Sequence, residues 1–544
     1  MVRLLIRRIL DQNCPFLTRR MRIFFSLFFL SYTLHAQQWL GISTSNYAGT
    51  YNITANPANV ADSRYKFFMN IAGVNADFSN NYASWAAPYS FFGLTTNSVP
   101  DKYRASNGLA GFKTSYIQEK RSRNNTVTFA AADVRGPSLL YTFEKAKVAV
   151  ALTSRIRVLT NLENTTAQVA HVMVNGTLVP DLYGISQINN NFRLNLNGYT
   201  EMGITVGFVV REQDQDFFKV GFTAKRVNGL LNAHYVVDEV DFKITENTTL
   251  PKRQDLLFQK AVGTFGLTKS DAIKTASLSP NWLFGNLPAG TGYGFDIGAV
   301  YEFRPEFDKY DIKIKQKWQM EGTKNKYLYR IGVALLDFGK INFNNPNYVR
   351  TTNILVNNLL ISPGTFNKID SPDQLYNQMN DAFGLSDGNY QTSFTSVLPM
   401  ALSTNFDYRY SEKIYFNVMW VQSLRNLEKL GANQPSMLAF IPRYETKFME
   451  VALPIALQNG YRNLTIGLAG RIGPLFVGTD NLGGVINIGN PRGISAYFGL
   501  SLPIFRKLPD APNGCYVEHK TTLRQELRGV FKKRKQRKNW NRLR

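Results

Sequence analysis

The sequence predicts an all-β protein: a transmembrane antiparallel β-barrel of about 14 strands with a short N-terminal plug and a basic C-terminal tail. Three observations predict this class. Segments of roughly ten residues alternate apolar and polar side chains. Tight turns between these segments alternate with long connections. The N-terminus has a secretory pattern, and no later apolar run reaches the roughly 20 residues of a membrane-spanning helix.

The last strand shows the alternation most clearly. Its predicted lipid-facing residues are Ile494, Ala496, Phe498, Leu500, Leu502 and Ile504, and its predicted lumen-facing residues are Ser495, Tyr497, Gly499 and Ser501. The spacing of Gly499, Leu502, Ile504 and Phe505 resembles the closing-strand pattern of bacterial outer-membrane barrels. We therefore expect this strand to close the sheet.

Further strands are predicted at 201–210, 292–303, 327–338, 402–410, 414–422, 449–457 and 464–471. Tight turns are predicted at 144–147, 212–216 and 411–413, and long loops at 161–190, 232–288 and 344–395. Within the last loop, Ser371 as N-cap and Pro372 at the first helical position predict a helix through Phe383, which Gly384 ends. A secreted β-sandwich or propeller also alternates, but its strands are about five or six residues long, and no fixed repeat is present.

Both ends of the chain differ from its body. Arg19, Arg20 and Arg22 precede an apolar run at 23–34, and Ala36 follows, so residues 1–36 are predicted to be a cleaved signal peptide. An uncleaved anchor is the alternative, and Met21 is an alternative start. Of the two cysteines, Cys14 and Cys515, cleavage would leave one, which excludes an intrachain disulfide. The predicted organisation is signal peptide 1–36, plug 37–65, barrel 66–505 and tail 506–544.

Much of the net charge of +24 belongs to the tail, where residues 506–544 contain 13 Lys and Arg against 3 Asp and Glu. The densest part of this run comprises Lys532, Lys533, Arg534, Lys535, Arg537 and Lys538. Nucleic acid is not expected as a partner, because an exported tail would not meet it. Peptidoglycan, anionic lipid or an acidic periplasmic protein are the candidate ligands. A solvated, disordered end is the simpler alternative.

Signatures of enzymes are nearly absent from the sequence. Past the signal peptide, His171, His234 and His519 are too scattered for a His-x-x-x-His zinc site, and neither a Gly-x-Ser-x-Gly elbow nor a phosphate-binding loop occurs. The chain is therefore predicted not to be an enzyme and to need no cofactor or metal. Alternation places Asp296, Glu302, Asp407 and Arg409 in the lumen. There they are expected to tune a pore rather than to act as acid and base.

Short motifs along the chain resemble a family of uncharacterised Bacteroidota outer-membrane barrels. They are Ala55-Asn56-Pro57-Ala58-Asn59, the strand from Lys66, Asn80-Asn81-Tyr82, Leu336-Asp337-Phe338-Gly339 and the stretch 476–482. That family is distantly similar to the FadL/TodX transporters of hydrophobic compounds. The resemblance implies a plug inside the barrel, shaped by Asn56, Pro57 and Ala58, and hydrophobic cargo. The basic tail has no counterpart in the transporter pattern.

Two functions follow from this sequence. The first is passage of hydrophobic or small molecules across the cell outer membrane through a plugged barrel. The second is a non-transporting structural or docking barrel, a subunit of a secretion or envelope complex whose tail binds a periplasmic partner or the cell wall. Both imply contact with outer-membrane lipid and with the machinery that inserts barrels. A lipid hydrolase is disfavoured because no nucleophile motif occurs.

Overall fold

A computed structural model describes residues 39–506 except 105–107, 109, 112, 121–125, 248–253, 275–288, 307–309, 315–316, 321, 363–364 and 366–370. The predicted signal peptide lies outside the described residues. So does the predicted basic tail after Arg506, including positions 532–538.

The described strands, in chain order, are β1 (Tyr65–Asn80), β2 (Ala83–Trp85), β3 (Ile117–Glu119), β4 (Thr126–Arg135), β5 (Ser138–Phe143), β6 (Val148–Thr165), β7 (Gln187–Gln213), β8 (Asp216–Glu246), β9 (Gln254–Thr268), β10 (Gly290–Phe303), β11 (Asp311–Ile314), β12 (Lys317–Met320), β13 (Tyr329–Phe343), β14 (Val349–Ile361), β15 (Phe394–Val397), β16 (Ala401–Arg409), β17 (Ile414–Ser423), β18 (Met437–Glu445), β19 (Met449–Ala452), β20 (Ile455–Gln458), β21 (Asn463–Ile466), β22 (Leu468–Ile472), β23 (Leu475–Thr479) and β24 (Gly493–Phe505). The α-helices are α1 (Leu40–Ser43), α2 (Phe91–Thr95), α3 (Ala167–Asn175), α4 (Asp271–Lys274), α5 (Pro372–Phe383) and α6 (Leu482–Ile486). The 3₁₀ turns are Gly49–Asn52, Pro57–Val60, Asp101–Tyr103, Thr114–Tyr116, Glu144–Ala146, Pro180–Leu182 and Asp387–Asn389.

The wall of the molecule is a closed antiparallel barrel of 14 strands, which confirms the predicted fold class. Ten wall positions are continuous strands, and four are pairs of shorter strands in line: β4 with β5, β15 with β16, β19 with β20, and β21 with β22. The predicted strands 449–457 and 464–471 are both of this interrupted kind. Pro454, which has no N–H to donate, lies in the first break, and Gly467 forms the second.

Pairing of β24 with β1 closes the barrel. The register runs from Tyr65 opposite Phe505 to Ser79 opposite Gly493. Along β24, Phe498, Leu500, Leu502 and Ile504 are exposed on the outer face, whereas Ser495, Tyr497, Gly499 and Ser501 are buried on the inner face. Apolar side chains outside and small or polar ones inside are what a strand between lipid and lumen requires.

The two rims of the barrel differ in their connections. The rim holding Tyr65 and Phe505 also holds the tight turns after β5, β7, β16, β18 and β22, and we call it the short-turn rim. The opposite, long-loop rim holds α2, α3, α5 and α6. Two connections depart from the alternation. Residues 304–328, with β11 and β12, form a long connection at the short-turn rim, and residues 459–462 form a tight one at the long-loop rim.

Beyond the long-loop rim the sheet continues past the barrel. The lower part of β8, to Gly229, pairs with β10, while its upper part, from Ala233, pairs with β9, which in turn pairs with β14. The interpretation of 232–288 and 344–395 as loops is therefore wrong for 232–246, 254–268 and 349–361. In this extension both polar side chains, such as Asn232 and His234, and apolar ones, such as Val240 and Phe242, are buried, so the burial differs from that of a strand between lipid and lumen.

The helix predicted in the loop before β15 is present with the predicted ends. The Ser371 side chain accepts a hydrogen bond from the Gln374 backbone N–H, Pro372 is the first helical residue, and Gly384 ends α5 in the left-handed conformation. Tyr376 and Met379 pack this helix onto β9 and β14. Among the described residues, no helix has the length and apolar character to cross a membrane.

Candidate functional site

Residues 39–64, which we call the inner segment, lie inside the barrel. The segment is compact: α1 and two 3₁₀ turns follow one another, and most of its residues are buried. Its first part is anchored by aromatic packing. The Trp39 ring is fully buried, and its centroid lies 5.0 Å from Tyr51, 5.6 Å from Phe476 and 5.8 Å from Tyr497. Packing of this kind makes the start of the segment the apolar core of the lumen.

The next part of the segment lies on a row of glycines. Gly207, Gly221 and Gly298 are directly paired neighbours on β7, β8 and β10, and we call them the glycine row. A Cβ added to Gly221 would lie 2.4 Å from the Pro57 carbonyl carbon, and one added to Gly298 would lie 2.2 Å from Asn56 Oδ1. The chain therefore approaches the wall so closely that only glycine fits beneath it.

Asn56, Pro57 and Ala58 form the part of the segment that touches this row. The Asn56 side chain accepts a hydrogen bond from the Ala58 backbone N–H, and Pro57 is the first residue of the 3₁₀ turn that follows. The other end of the same amide donates to the wall, with Asn56 Nδ2 lying 3.1 Å from the Ala299 carbonyl oxygen and 3.2 Å from that of Val333. One asparagine thus shapes the turn and fastens it to β10 and β13.

Carboxylates of the wall accept hydrogen bonds from residues 39–46, the first part of the segment. Asp133 accepts from Trp39 Nε1 at 3.1 Å, and Asp480 accepts from the Leu40 backbone N–H at 3.1 Å. Glu450 accepts from Ser45 Oγ at 2.7 Å, and Glu445 accepts from the Asn46 side-chain amide at 2.9 Å. This first part of the segment is therefore held by acidic side chains on the inner side of the wall as well as by aromatic packing.

The structure places Asp296 on the inner face of β10, where it belongs to a chain of ion pairs. Lys225 Nζ lies 2.8 Å from Asp296 and 2.5 Å from Asp337, and Arg157 lies 2.8 Å from Asp337 and 2.9 Å from Glu201. All five side chains are buried. Asp296 thus has a cation beside it, and the arrangement neutralises charge rather than preparing a proton transfer.

Glu302 lies further along the same face of β10, close to the short-turn rim. Arg304 lies 2.5 Å from one of its carboxylate oxygens, and Lys219 Nζ lies 3.4 Å from the other. Lys219 also donates to the Ala61 carbonyl oxygen at 3.0 Å. Glu302 therefore orients two cations that in turn contact the inner segment.

Asp407 and Arg409 are two residues apart on β16 but have different environments. Asp407 has no exposed surface and lies 2.9 Å from both Arg330 and Arg443, and it accepts a hydrogen bond from Tyr327 at 2.7 Å. Arg409 is half-buried at the short-turn rim, where it donates to Tyr310 and to the Asn325 carbonyl oxygen in the 304–328 connection. Only Asp407 belongs to the buried network.

Asp62 lies near the end of the inner segment, at the short-turn rim, and no sequence pattern marks it. Its carboxylate lies 3.0 Å from Arg304, 3.3 Å from Arg506 and 3.7 Å from Lys326. Burial raises the pKa of Asp62, but Lys326, Arg304 and Arg506 lower it further and hold this pKa well below its usual range. We call these four residues the Asp62 clamp.

Two small cavities lie between the inner segment and the wall among the described residues. One cavity of about 30 Å³ lies among Thr50, Thr54, Arg135 and Lys225, and a second of about 20 Å³ lies among Thr54, Arg157 and Asp337. Each has room for a water molecule rather than for a solute. Among the described residues, no group of His, Cys, Asp and Glu side chains is arranged to hold a metal ion.

Most of the sequence matches a protein-family model. The model described as "Family of unknown function (DUF5723)" covers residues 57–480, from Pro57 of the inner segment to Asp480, just after β23. The chain belongs to this family. No curated protein is significantly similar to this DUF5723 member.

Several solved barrels share low overall similarity with the DUF5723 chain. The Ralstonia pickettii toluene transporter TbuX is 9% identical with a TM-score of 0.33, covering 84% of this chain and 94% of its own. The Pseudomonas putida toluene transporter TodX is 9% identical with a TM-score of 0.27, covering 85% and 95%. The translocator domain of the Neisseria meningitidis autotransporter NalP is 7% identical with a TM-score of 0.26, covering 80% and 89%.

Proposed function

We propose that this DUF5723 protein is an outer-membrane barrel that lets hydrophobic or small molecules pass, and that the inner segment closes the passage. The short-turn rim then faces the periplasm, as in other barrels of this architecture. This function includes no catalytic step. Its expected partners are outer-membrane lipid, the machinery that inserts barrels, and the peptidoglycan or acidic periplasmic protein that the basic tail would bind.

The observation that carries the proposal is the chemistry beneath the segment. From Asn56 to Arg64 the segment is held by hydrogen bonds and ion pairs to charged side chains of the wall, and Ala58 and Val60 are buried beside the glycine row. Polar contacts exchange with water at a net cost of about 1 kcal/mol each, so the polar contacts oppose release of this part of the segment only modestly. Once the segment has left, a wall lined with charged side chains is compatible with a water-filled lumen.

A structural or docking barrel is the second candidate, and one contact favours it. Arg506, the first residue of the predicted tail, donates its backbone N–H to the Arg64 carbonyl oxygen at 3.0 Å and pairs with Asp62. The tail therefore begins beside the end of the inner segment. This role is tested by comparing the proteins captured by the full chain with those captured by a chain that ends at Arg506. Identical sets of captured proteins would reject a docking role for the tail.

Permeability of the Asp62→Asn variant tests the passage itself. Removing one partner of a buried ion pair costs about 3 kcal/mol, which raises the released population of the segment roughly 100-fold. We expect faster swelling of vesicles containing the variant in small sugars and faster hydrogen exchange in residues 39–64. Glu239→Gln is the matched control, because Glu239 forms an exposed pair with Lys260 at 2.7 Å, far from the lumen. Faster exchange with unchanged swelling would reject passage and leave the docking role.

The pH dependence of the same pair of proteins follows from the depressed pKa of Asp62. A carboxylate with a depressed pKa stabilises the folded state above its unfolded pKa, about 3.9, and this stabilisation disappears as the pH falls through the folded value. The ratio of the exchange rates of Asp62→Asn and wild type, measured at the same pH, should therefore stay constant from about pH 8 to pH 5 and fall only below about pH 4. A ratio that falls to one near neutral pH would contradict the clamp.

A further inference from the structure

Three exposed side chains lie side by side on the outer face of the wall, near the long-loop rim. Arg226 of β8 is directly opposite Tyr293 of β10, and Tyr293 is directly opposite Lys340 of β13. Tyr293 is 67% exposed, and both cations are exposed. Because neighbouring strands lie about 4.8 Å apart, the two cations are attached to the wall about 10 Å from each other, with the phenol between them.

This row marks a boundary on the outer face. Toward the short-turn rim the next exposed row is apolar, with Phe295 opposite Phe338. Toward the long-loop rim the next row is polar, with Thr291 opposite Asn342, whose side chain accepts a hydrogen bond from Thr395. An aromatic ring between an apolar band and a polar one is typical of the level where hydrocarbon meets lipid headgroups.

The cations of this row differ from those at the other rim. At the short-turn rim, Lys66 pairs with Glu144 at 3.7 Å, Lys147 with Glu212 at 2.5 Å, and Arg211 with Asp216 at 3.6 Å. Within the described part of the chain, neither Arg226 nor Lys340 has a carboxylate within 4.0 Å. Among the described residues, Arg226 and Lys340 thus differ from these three paired cations in having no counter-charge.

We propose that Arg226 and Lys340 bind the phosphate of an outer-leaflet lipid headgroup. A guanidinium presents paired donors to a phosphate, an ammonium adds a point charge, and the Tyr293 hydroxyl between them is a third donor. The ligand class is a phosphorylated, anionic lipid, because the apolar row beside the site receives its acyl chains. This inference rests on the proposed membrane location but not on passage, since none of the three residues touches the inner segment.

Retention of lipid A by the purified full chain tests the site. Native mass spectrometry in mild detergent, with added lipid A, should show wild type retaining the lipid. Arg226→Gln/Lys340→Gln should retain roughly 25-fold less, since each cation near a lipid surface contributes about fivefold. The charge-preserving variant Arg226→Lys/Lys340→Arg should retain most of the binding, and lipid A stripped of its phosphates should bind wild type as weakly as the double glutamine variant binds intact lipid.

The matched control is Lys66→Gln/Lys147→Gln, which removes two exposed cations from the other rim and should leave lipid A retention unchanged. Heat-modifiable migration on a gel confirms that each variant is a closed barrel. Equal retention of lipid A by wild type and Arg226→Gln/Lys340→Gln, or equal retention of intact and phosphate-free lipid A by wild type, would overturn the proposal. Vesicle swelling should be the same for all these variants, so this test and the test of passage fail independently.

Discussion

Replacing Asp407 with asparagine is expected to lower the free energy of unfolding by about 3–5 kcal/mol, the cost of removing one partner from a buried ion pair. Asp407 is fully buried and is the shared acceptor for Arg330, Arg443 and Tyr327. An asparagine has the same size and keeps the packing, but it removes the negative charge beside the guanidinium groups of Arg330 and Arg443. Arg443 would keep only Glu445, at 2.8 Å.

Urea unfolding in vesicles, followed by tryptophan fluorescence, measures this effect. Glu239→Gln removes a carboxylate from an exposed pair and should leave the unfolding midpoint unchanged. Because the same Tyr327 hydroxyl lies 2.9 Å from Asn46 Oδ1 of the inner segment, the Asp407 variant should speed hydrogen exchange there as well. A midpoint equal to that of wild type would mean that Asp407 is solvated in the membrane.

Replacing Gly221 with alanine is expected to displace the inner segment while the barrel stays closed. The added methyl group would lie 2.4 Å from the Pro57 carbonyl carbon and 2.5 Å from the Ala58 nitrogen, and backbone atoms cannot rotate away as a side chain would. Overpacking of this kind costs about 1–3 kcal/mol. On the wall itself the substitution is mild, because alanine adopts the extended conformation of β8 freely.

Hydrogen exchange of residues 39–64 and vesicle swelling together measure the displacement. Gly470→Ala is the control, because a Cβ there would meet only the Glu450 carbonyl oxygen, at an ordinary 3.8 Å. Faster exchange in the segment for Gly221→Ala, with normal heat-modifiable migration, is the expected result. If exchange matched the control, the segment would not rest on the glycine row in the membrane.

The features that the sequence predicts well are those encoded by nearest neighbours. Alternation along 493–505 assigns both faces of β24, and Ser371 with Gly384 sets both ends of α5, because caps and pleats act within a few residues. The upper parts of β7 and β8 escape prediction because their apolar side chains, among them Phe192, Val240 and Phe242, pack within the protein rather than against lipid. Which neighbours bury them depends on strand pairing, which no single segment encodes.

The candidate site is a product of register, which no single segment encodes. Alternation indicates that Asp296 and Asp407 point inward, but their partners Lys225, Arg330 and Arg443 lie on other strands, at positions fixed only by pairing. Asp62 lies outside any strand, so no pattern marked it. Each glycine of β7, β8 and β10 by itself is only a residue that weakens a strand. Their role as the surface beneath the inner segment becomes evident only when the three strands are paired.

The glycine row also has a consequence for the order of events during assembly. Gly207, Gly221 and Gly298 come into line only when three strands from the middle of the chain have paired without slippage, because a shift of one residue would turn side chains toward the lumen in their place. Pro57 and Ala58 therefore cannot take their final position until these three strands have paired. The inner segment, which precedes β1, is thus placed only after strands that follow it in the chain, and its docking requires their correct register.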